Sequence, residues 1–497
     1  MLRAFRSAEV KAAEEPLLAE GAPLMERASF ALATVVAGEL RARGHLVTGS
    51  HILVLAGGGN NGGDALHAGA YLARRGARVD LALLTDHAHE VGLAAAREAG
   101  CRIVAPGTDA LIEAARYAGV WIDGIVGIGI TPPLHGPLAG VVDLLENERL
   151  GSPDEPIVVA VDCPSGIGVD DGSLSGPHLT ATVTVTMGAA KPGLLAPPAS
   201  RVCGRVEIMD LGLDLPGAPA LASLTGADVA DLLTVPGPTD HKYTRGVVLL
   251  GTGSESYPGA AVLSVGGALA AGPGMVRLDS PDTAGLVLRS YPEVVTGLGR
   301  AQATVLGSGV PATEVDRLRA PLDRALEENH PVVLDAGALE LLKEDYIDLP
   351  STVVLTPHAG ELAELLSARG EGLARRDVES APIRAARLAA TVTGATIVLK
   401  GATDLIAGPD GPVYVQPAPS HWKATAGAGD VYAGLLGTLL ASIGDDVARA
   451  GRGHGRPALM AAAASWIHSE AADSAHPIRV TDIITRIPHA IGKALRG

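Results

Sequence analysis

Apolar positions along the chain come in short dense runs, not in heptads or long strict alternations. His51–Ala56, Arg78–Leu84, Gly119–Ile122, Ile157–Val161 and Thr182–Thr186 read as buried strands. The stretches between them carry the three-and-four spacing of helices. His51–Ala56, the glycine loop Gly57–Gly63, a helix Asp64–Arg75 and the strand Arg78–Leu84 make one βαβ unit. Residues 7–43 ahead of it read as two helices broken at Gly21-Ala22-Pro23. Strands apolar on both faces that alternate with helices predict an α/β fold around a parallel, doubly wound sheet.

The pattern breaks after Leu211. Gly212–Ala222 is interrupted by Pro and Gly and reads as a linker, and a second domain is expected to begin near Ser223. One short helical pattern lies near Ala227–Leu233. A second series of strand, glycine-rich loop, long helix and strand starts at Gly246. Asp445–Arg456 is charged and Gly-rich, and is expected to be a surface loop. The organisation is therefore residues 1–212, a linker 213–222, and residues 223–497, with no internal repeat between the halves.

Composition sharpens this picture. With 497 residues there is chain enough for two cores, and with 3% aromatics Ala, Val and Leu must fill them. The formal net charge of −16 disfavours nucleic acid and acidic membrane surfaces as partners. Small anions need local backbone amides and single lysines instead. Cys101, Cys163 and Cys203 are too scattered for a disulfide framework or a zinc site. No apolar run approaches the roughly 20 residues of a membrane span, and the charged N-terminus lacks a signal-peptide pattern. A soluble cytoplasmic protein is expected.

Chemistry in the first half gathers at strand ends. Gly57-Gly58-Gly59-Asn60-Asn61-Gly62-Gly63-Asp64 follows a strand and opens a helix, where free amides favour anions. A tight βα turn explains the glycines, but not two asparagines beside an aspartate. Asp123 leads into Gly124–Pro133, and Asp162-Cys163-Pro164-Ser165-Gly166 leaves another strand. A lone Asp at a strand end is most often a helix cap; three such loops in one parallel sheet can meet at one crevice.

In this order the loops resemble the NAD(P)H-hydrate epimerase family, over residues 1–212. Leu24-Met25-Glu26-Arg27-Ala28 and Lys191-Pro192-Gly193 agree with it, and Ala65 replaces a usual Gly. The resemblance implies a Rossmann-like three-layer sandwich. It implies that Asn61, Asp123 and Ser165 hold a potassium ion, as hard oxygen ligands suit. It also implies that Asn60, Asn61, Gly62, Gly63, Asp64, Gly127, Ile128, Gly129, Ile130, Thr131, Pro132, Pro133 and Asp162 line the hydrated nucleotide. Asp162 is the expected acid/base catalyst; Lys191 is a weaker candidate, otherwise a surface residue in a turn.

In the second half, Ala426-Gly427-Ala428-Gly429-Asp430 precedes the helical run Val431–Ser442. Small residues at a helix start cradle a phosphoryl group, and an adjacent Asp can take a proton from an attacking hydroxyl. A capped helix start after a flexible turn is the competing, weaker reading of the motif alone. Further strand-end motifs are Gly251–Ser254 with Tyr257–Ala260, Leu306–Gly309, Asp335–Leu339, Thr356–Glu361 and Val398–Asp404.

Together they resemble the ribokinase-like, ADP- or ATP-dependent NAD(P)H-hydrate dehydratases over residues 223–497. The resemblance implies hydrate contacts from Ala260, Gly309, His358 and Asp430. It implies adenine-nucleotide contacts from Lys400, Gly401, Ala402, Thr403, Asp404 and Gly429, with Asp430 as catalytic base. Mg²⁺ and ADP or ATP as co-substrate follow, with small molecules as partners and a homo-oligomer as the expected assembly. Ala359, Asp404 and Ala428 depart from the family pattern, and a carboxylate at Asp404 fits poorly beside phosphates. The alternative is a ribokinase-like vitamin or sugar kinase fused to a non-catalytic nucleotide-binding domain.

Overall fold

The computed structural model describes the whole chain except residues 106, 130–132, 216, 347 and 451–455, together with the side chains of 448–450. It divides into two compact units, Arg3–Ala220, and Leu221–Gly497 with Met1–Leu2.

The first unit is built on seven strands, ordered Arg102–Ile103, Arg78–Leu83, His51–Ala56, Val120–Gly124, Ile157–Val161, Val183–Met187 and Arg205–Met209. All neighbours are parallel. Alternate residues of one strand serve two cores: Ile52 and Val54 pack with Leu32 and Leu66, and Leu53 and Leu55 pack with Trp121 and Leu145. That is why the strands read as continuous apolar runs. The chain moves outward from His51–Ala56, then returns to Val120–Gly124 on its other side. Loops part at this reversal, and an open parallel sheet offers its ligand crevice there.

The expected helix Asp64–Arg75 begins earlier, spanning Asn60–Arg74 with Gly59 as its N-cap. Asn and Gly disfavour helix in isolation. Here the first turn is pressed against the preceding strand end, with Gly62 and Gly63 buried, and packing overrides propensity. The two leading helices are Ser7–Ala19 and Leu24–Ala42.

In the second unit the strand order is Leu221–Ser223, Val413–Pro417, Thr403–Ala407, Thr396–Leu399, Val353–Leu355, Val332–Leu334, Ala303–Leu306, Val247–Gly251, Met275–Leu278 and Val295–Thr296. The last seven are parallel, and Thr396–Leu399, Thr403–Ala407 and Val413–Pro417 form an antiparallel extension. Order reverses between Val247–Gly251 and Ala303–Leu306. Over that point lie the helices Pro258–Ala270 and Ala428–Ser442, which share one core with Val248, Leu250 and Val305.

Three expectations give way. Leu221 and Ala222, assigned to the linker, are strand residues paired with Val413 and Tyr414. Asp445–Ala450, expected in a loop, belongs to the helix Gly444–Ala450; Val447 is buried in the core and anchors it. Asp335, expected on its strand, stands one residue past Leu334. Among the described residues no helix is long and apolar enough to cross a membrane.

Candidate functional sites

The first unit carries a cleft of about 810 Å³ at its sheet reversal, lined by the glycine loop, Ile125–Gly129, Asp162, Met187 and the helix Ser7–Ala19. Asn60, Asn61, Gly62, Asp64, Gly127, Ile128, Gly129 and Asp162 all open onto it. Gly63 does not; it is buried against the His89 ring. Pro133 lies outside the lining, against Gly176, and Ile130, Thr131 and Pro132 fall outside the described residues.

Asp123 and Ser165 sit beneath the cleft, fully buried. The Ser165 amide and hydroxyl donate to the two Asp123 oxygens at 2.8 and 2.6 Å, and the Ile125 amide donates at 3.3 Å. Burial nevertheless raises the Asp123 carboxyl to about 6, against the Ser165 bonds. Asn61 donates through Nδ2 to the Val161 carbonyl at 2.6 Å, which turns its Oδ1 away from that strand. A Cβ on Gly127 would stand 2.4 Å from this Oδ1, so only glycine leaves the amide in place. An oxygen-only donor set around a buried carboxylate, with no protein cation paired to it among the described residues, fits a hard monovalent ion.

Asp162 has φ +66, a left-handed conformation rare outside glycine, though Asp tolerates it best. Its Oδ1 accepts from Thr186 Oγ1 and the Met187 amide, both at 3.0 Å, and from Lys191 Nζ. Lys191 is no surface residue. It is 1% exposed, and its ammonium also donates to Thr186 Oγ1 and the Met187 carbonyl at 3.0 Å each. A lysine ahead of Pro192-Gly193 gave no sign of this, because the partner lies 29 residues upstream. Asp64 is buried too, and burial lifts it to about 7. Ser29, which no sequence motif singled out, places its hydroxyl oxygen 3.1 Å from Asp64 Oδ1.

The second unit has a cavity of about 390 Å³ lined by Lys400, Gly401, Ala402, Asp404, Ala428 and Gly429, joined by His421, Lys423, Ala424, Tyr432 and His468. Thr403 is not part of the lining. The Asp404 carboxylate proves well matched: it accepts from the Gly401 amide and from Lys423 Nζ, each at 3.0 Å. The electrostatic objection to it falls, because Lys423 offsets its charge. Lys423 was invisible to motif reading, being brought in by the fold from 19 residues away.

Lys400 donates to Asp335 Oδ1 at 2.7 Å, and Thr356 and Ser308 hydroxyls hold the same carboxylate at 2.7 and 2.8 Å. Three strand ends thus converge on Asp335. Asp430 lies in the first turn of the helix Ala428–Ser442, whose N-cap Gly427 has φ +88. Burial, reinforced by Asp335 and opposed by Lys400, raises its carboxyl to about 7. Ala260 and Gly309 pack against each other at the sheet reversal. His358 caps a helix: its Nδ1 accepts from the Gly360 and Glu361 amides at 3.0 and 3.1 Å, and the rest of the ring is exposed.

Known families match both units. Residues 21–193 match the family described as the YjeF-related protein N-terminus, and residues 247–493 match NAD(P)H-hydrate dehydratase. The chain is 43% identical over 446 residues to the bifunctional NAD(P)H-hydrate repair enzyme of Mycobacterium tuberculosis, covering 87% of this chain and 88% of the relative. Its first half is 46% identical over 211 residues to the NAD(P)H-hydrate epimerase of Microbacterium testaceum, 42% of this chain and 79% of that protein. A structure of the ADP/ATP-dependent NAD(P)H-hydrate dehydratase from Bacillus subtilis, co-crystallised with ATP and Mg²⁺, is 25% identical and covers 54% of this chain and 97% of its own, with a TM-score of 0.46.

Proposed function

The chain belongs to the bifunctional NAD(P)H-hydrate repair enzymes, and on that premise we propose how its residues divide the work. The enzyme epimerises the R and S hydrates of NADH and NADPH and dehydrates the S form at the expense of ADP or ATP.

In the first unit the hydrated nicotinamide nucleotide occupies the cleft over Asn60–Asp64 and Gly127–Gly129, with Asp162 as the acid/base group at its floor. Lys191 is a positioning residue that holds Asp162 Oδ1 and leaves Oδ2 free of protein partners among the described residues. Asn61, Asp123 and Ser165 would hold K⁺, which supplies a fixed positive charge beneath the substrate.

In the second unit the adenine nucleotide occupies the cavity from Lys400 to Tyr432. Lys400 and the amides at the start of the helix Ala428–Ser442 face its phosphates. Mg²⁺ would arrive with the nucleotide and neutralise charge developing on the phosphates. Asp430 takes the proton of the hydrate's hydroxyl, whose oxygen then attacks the terminal phosphorus as the bridging phosphorus–oxygen bond breaks and AMP (from ADP) or ADP (from ATP) leaves. Phosphate leaves together with a neighbouring ring proton, and the double bond returns. The observation that carries this reading is Asp430, raised to about 7, at the N-terminus of a helix bordering a nucleotide-sized cavity.

The test is direct. Chemically hydrated NADH with ADP or ATP should regain the absorbance of the reduced nicotinamide, with release of inorganic phosphate. A stable phosphorylated product without that absorbance would show a kinase instead.

A further inference from the structure

Two buried carboxyl groups of the first cleft stand in opposite circumstances. Asp162 has its charge matched by the buried Lys191 ammonium. Asp64 is comparably buried, 8% against 6% exposed, yet among the described residues its one hydrogen-bond partner is Ser29. The Ser29 hydroxyl lies 2.6 Å from the Met25 carbonyl and 3.1 Å from Asp64 Oδ1. One hydroxyl proton cannot serve two acceptors. Both contacts are satisfied when Asp64 is protonated, donating to Ser29 while Ser29 donates to Met25.

The other groups facing Asp64 point the same way. Glu14 on the helix Ser7–Ala19 and Asp162 are both acidic and both raise it, after burial itself. On the following helix the N-cap His89 packs against Gly63 with Nδ1 engaged by the Gly92 amide. The Lys191 cation is already engaged by Asp162. One carboxyl paired with a buried ammonium and another held by a single hydroxyl, within one pocket, suit the roles of a base and an acid.

We infer that Asp64 is the proton donor of the epimerisation and Asp162 the proton acceptor, acting on a ring that opens and recloses. This rests on the epimerase reading of the cleft. Asp162 Oδ2 takes the proton of the ring hydroxyl. The carbon–oxygen bond becomes double as the adjacent carbon–nitrogen bond breaks. That bond's electron pair goes to the nitrogen, which takes the Asp64 proton. The opened ring is an aldehyde with an N–H enamine. Rotation about the carbon–carbon bond beside the aldehyde presents its other face. Reclosure by the nitrogen returns one proton to Asp64 and draws the other back from Asp162, so no electrons or atoms are lost.

The test uses the full chain and the separated R hydrate of NADH, following R-to-S conversion by chromatography. Asp64→Asn should lower kcat for conversion by at least about 100-fold with KM little changed, and leave dehydration of the S hydrate intact. Glu14→Gln removes a negative neighbour, so Asp64 should release its proton at lower pH and the alkaline fall of kcat should move down. The assignment is overturned by an Asp64→Asn variant whose loss lies in KM alone, by one that keeps kcat, or by an alkaline limb that Glu14→Gln does not move. An unaltered chain that never converts R hydrate would sink the epimerase reading itself.

Discussion

At the scale of single residues, burial sets the acidity of Asp430. Asp430 must be ionised to accept a proton, and its carboxyl sits near 7, with burial as the main cause. Dehydration should therefore rise with pH through about 7, and Lys400→Met should move that limb to higher pH by removing the cation opposite. Asp430→Asn should abolish dehydration yet leave epimerisation. A carboxyl whose pKa in the folded state lies above its unfolded value opposes folding once ionised. The same variant should thus melt at a higher temperature at pH 8, which calorimetry checks. Lys191→Met leaves Asp162 buried and unpaired, so urea unfolding should show a loss of roughly 3–5 kcal/mol. Adding Asp162→Asn should recover part of it; no recovery would mean that Lys191 acts through packing alone.

At the scale of elements, the strand ends do the positioning. The first turn of the helix Asn60–Arg74 places Asn61 between the Val161 carbonyl and Gly127. Gly127→Ala should push the Asn61 amide aside, raising the potassium concentration needed for half-maximal epimerisation while dehydration stays unchanged. Equal potassium dependence in both proteins would remove Asn61 from the ion site. These loops were legible because glycine, asparagine and aspartate clustered at a strand end exceed what a tight turn requires. The true helix start was not, because Asn and Gly disfavour helix until a neighbouring strand end buries them. His358 was legible as a polar group at a helix start, but its role as a cap appears only once the Gly360 and Glu361 amides are placed.

At the scale of the whole chain, each unit has its own sheet, cores and complete set of strand-end loops. We propose that each folds and works alone when the cut falls just before Leu221, ahead of the strand Leu221–Ser223. The isolated second unit should consume only the S hydrate, and adding the first should restore consumption of both epimers. A second unit that consumed R and S equally fast would refute the division. Lacking Met1 and Leu2, which group with it, it should also melt somewhat lower than in the full chain.

Local chemistry was sufficient for one layer of this protein. Strands buried on both faces have to be continuous apolar runs, and loops that bind anions at helix starts have to be small and polar. Both requirements are written in consecutive residues, so the α/β architecture and the Asn61, Asp162 and Asp430 motifs could be read directly. Charge balance could not. Whether Lys191 is a surface lysine or the buried partner of Asp162 depends on two strand ends meeting. Whether Asp404 repels or is matched depends on where the chain returns Lys423. Ser29 and Glu14 matter to Asp64 only because two leading helices close over its cleft. Those are long-range encounters, and no window of sequence contains both members.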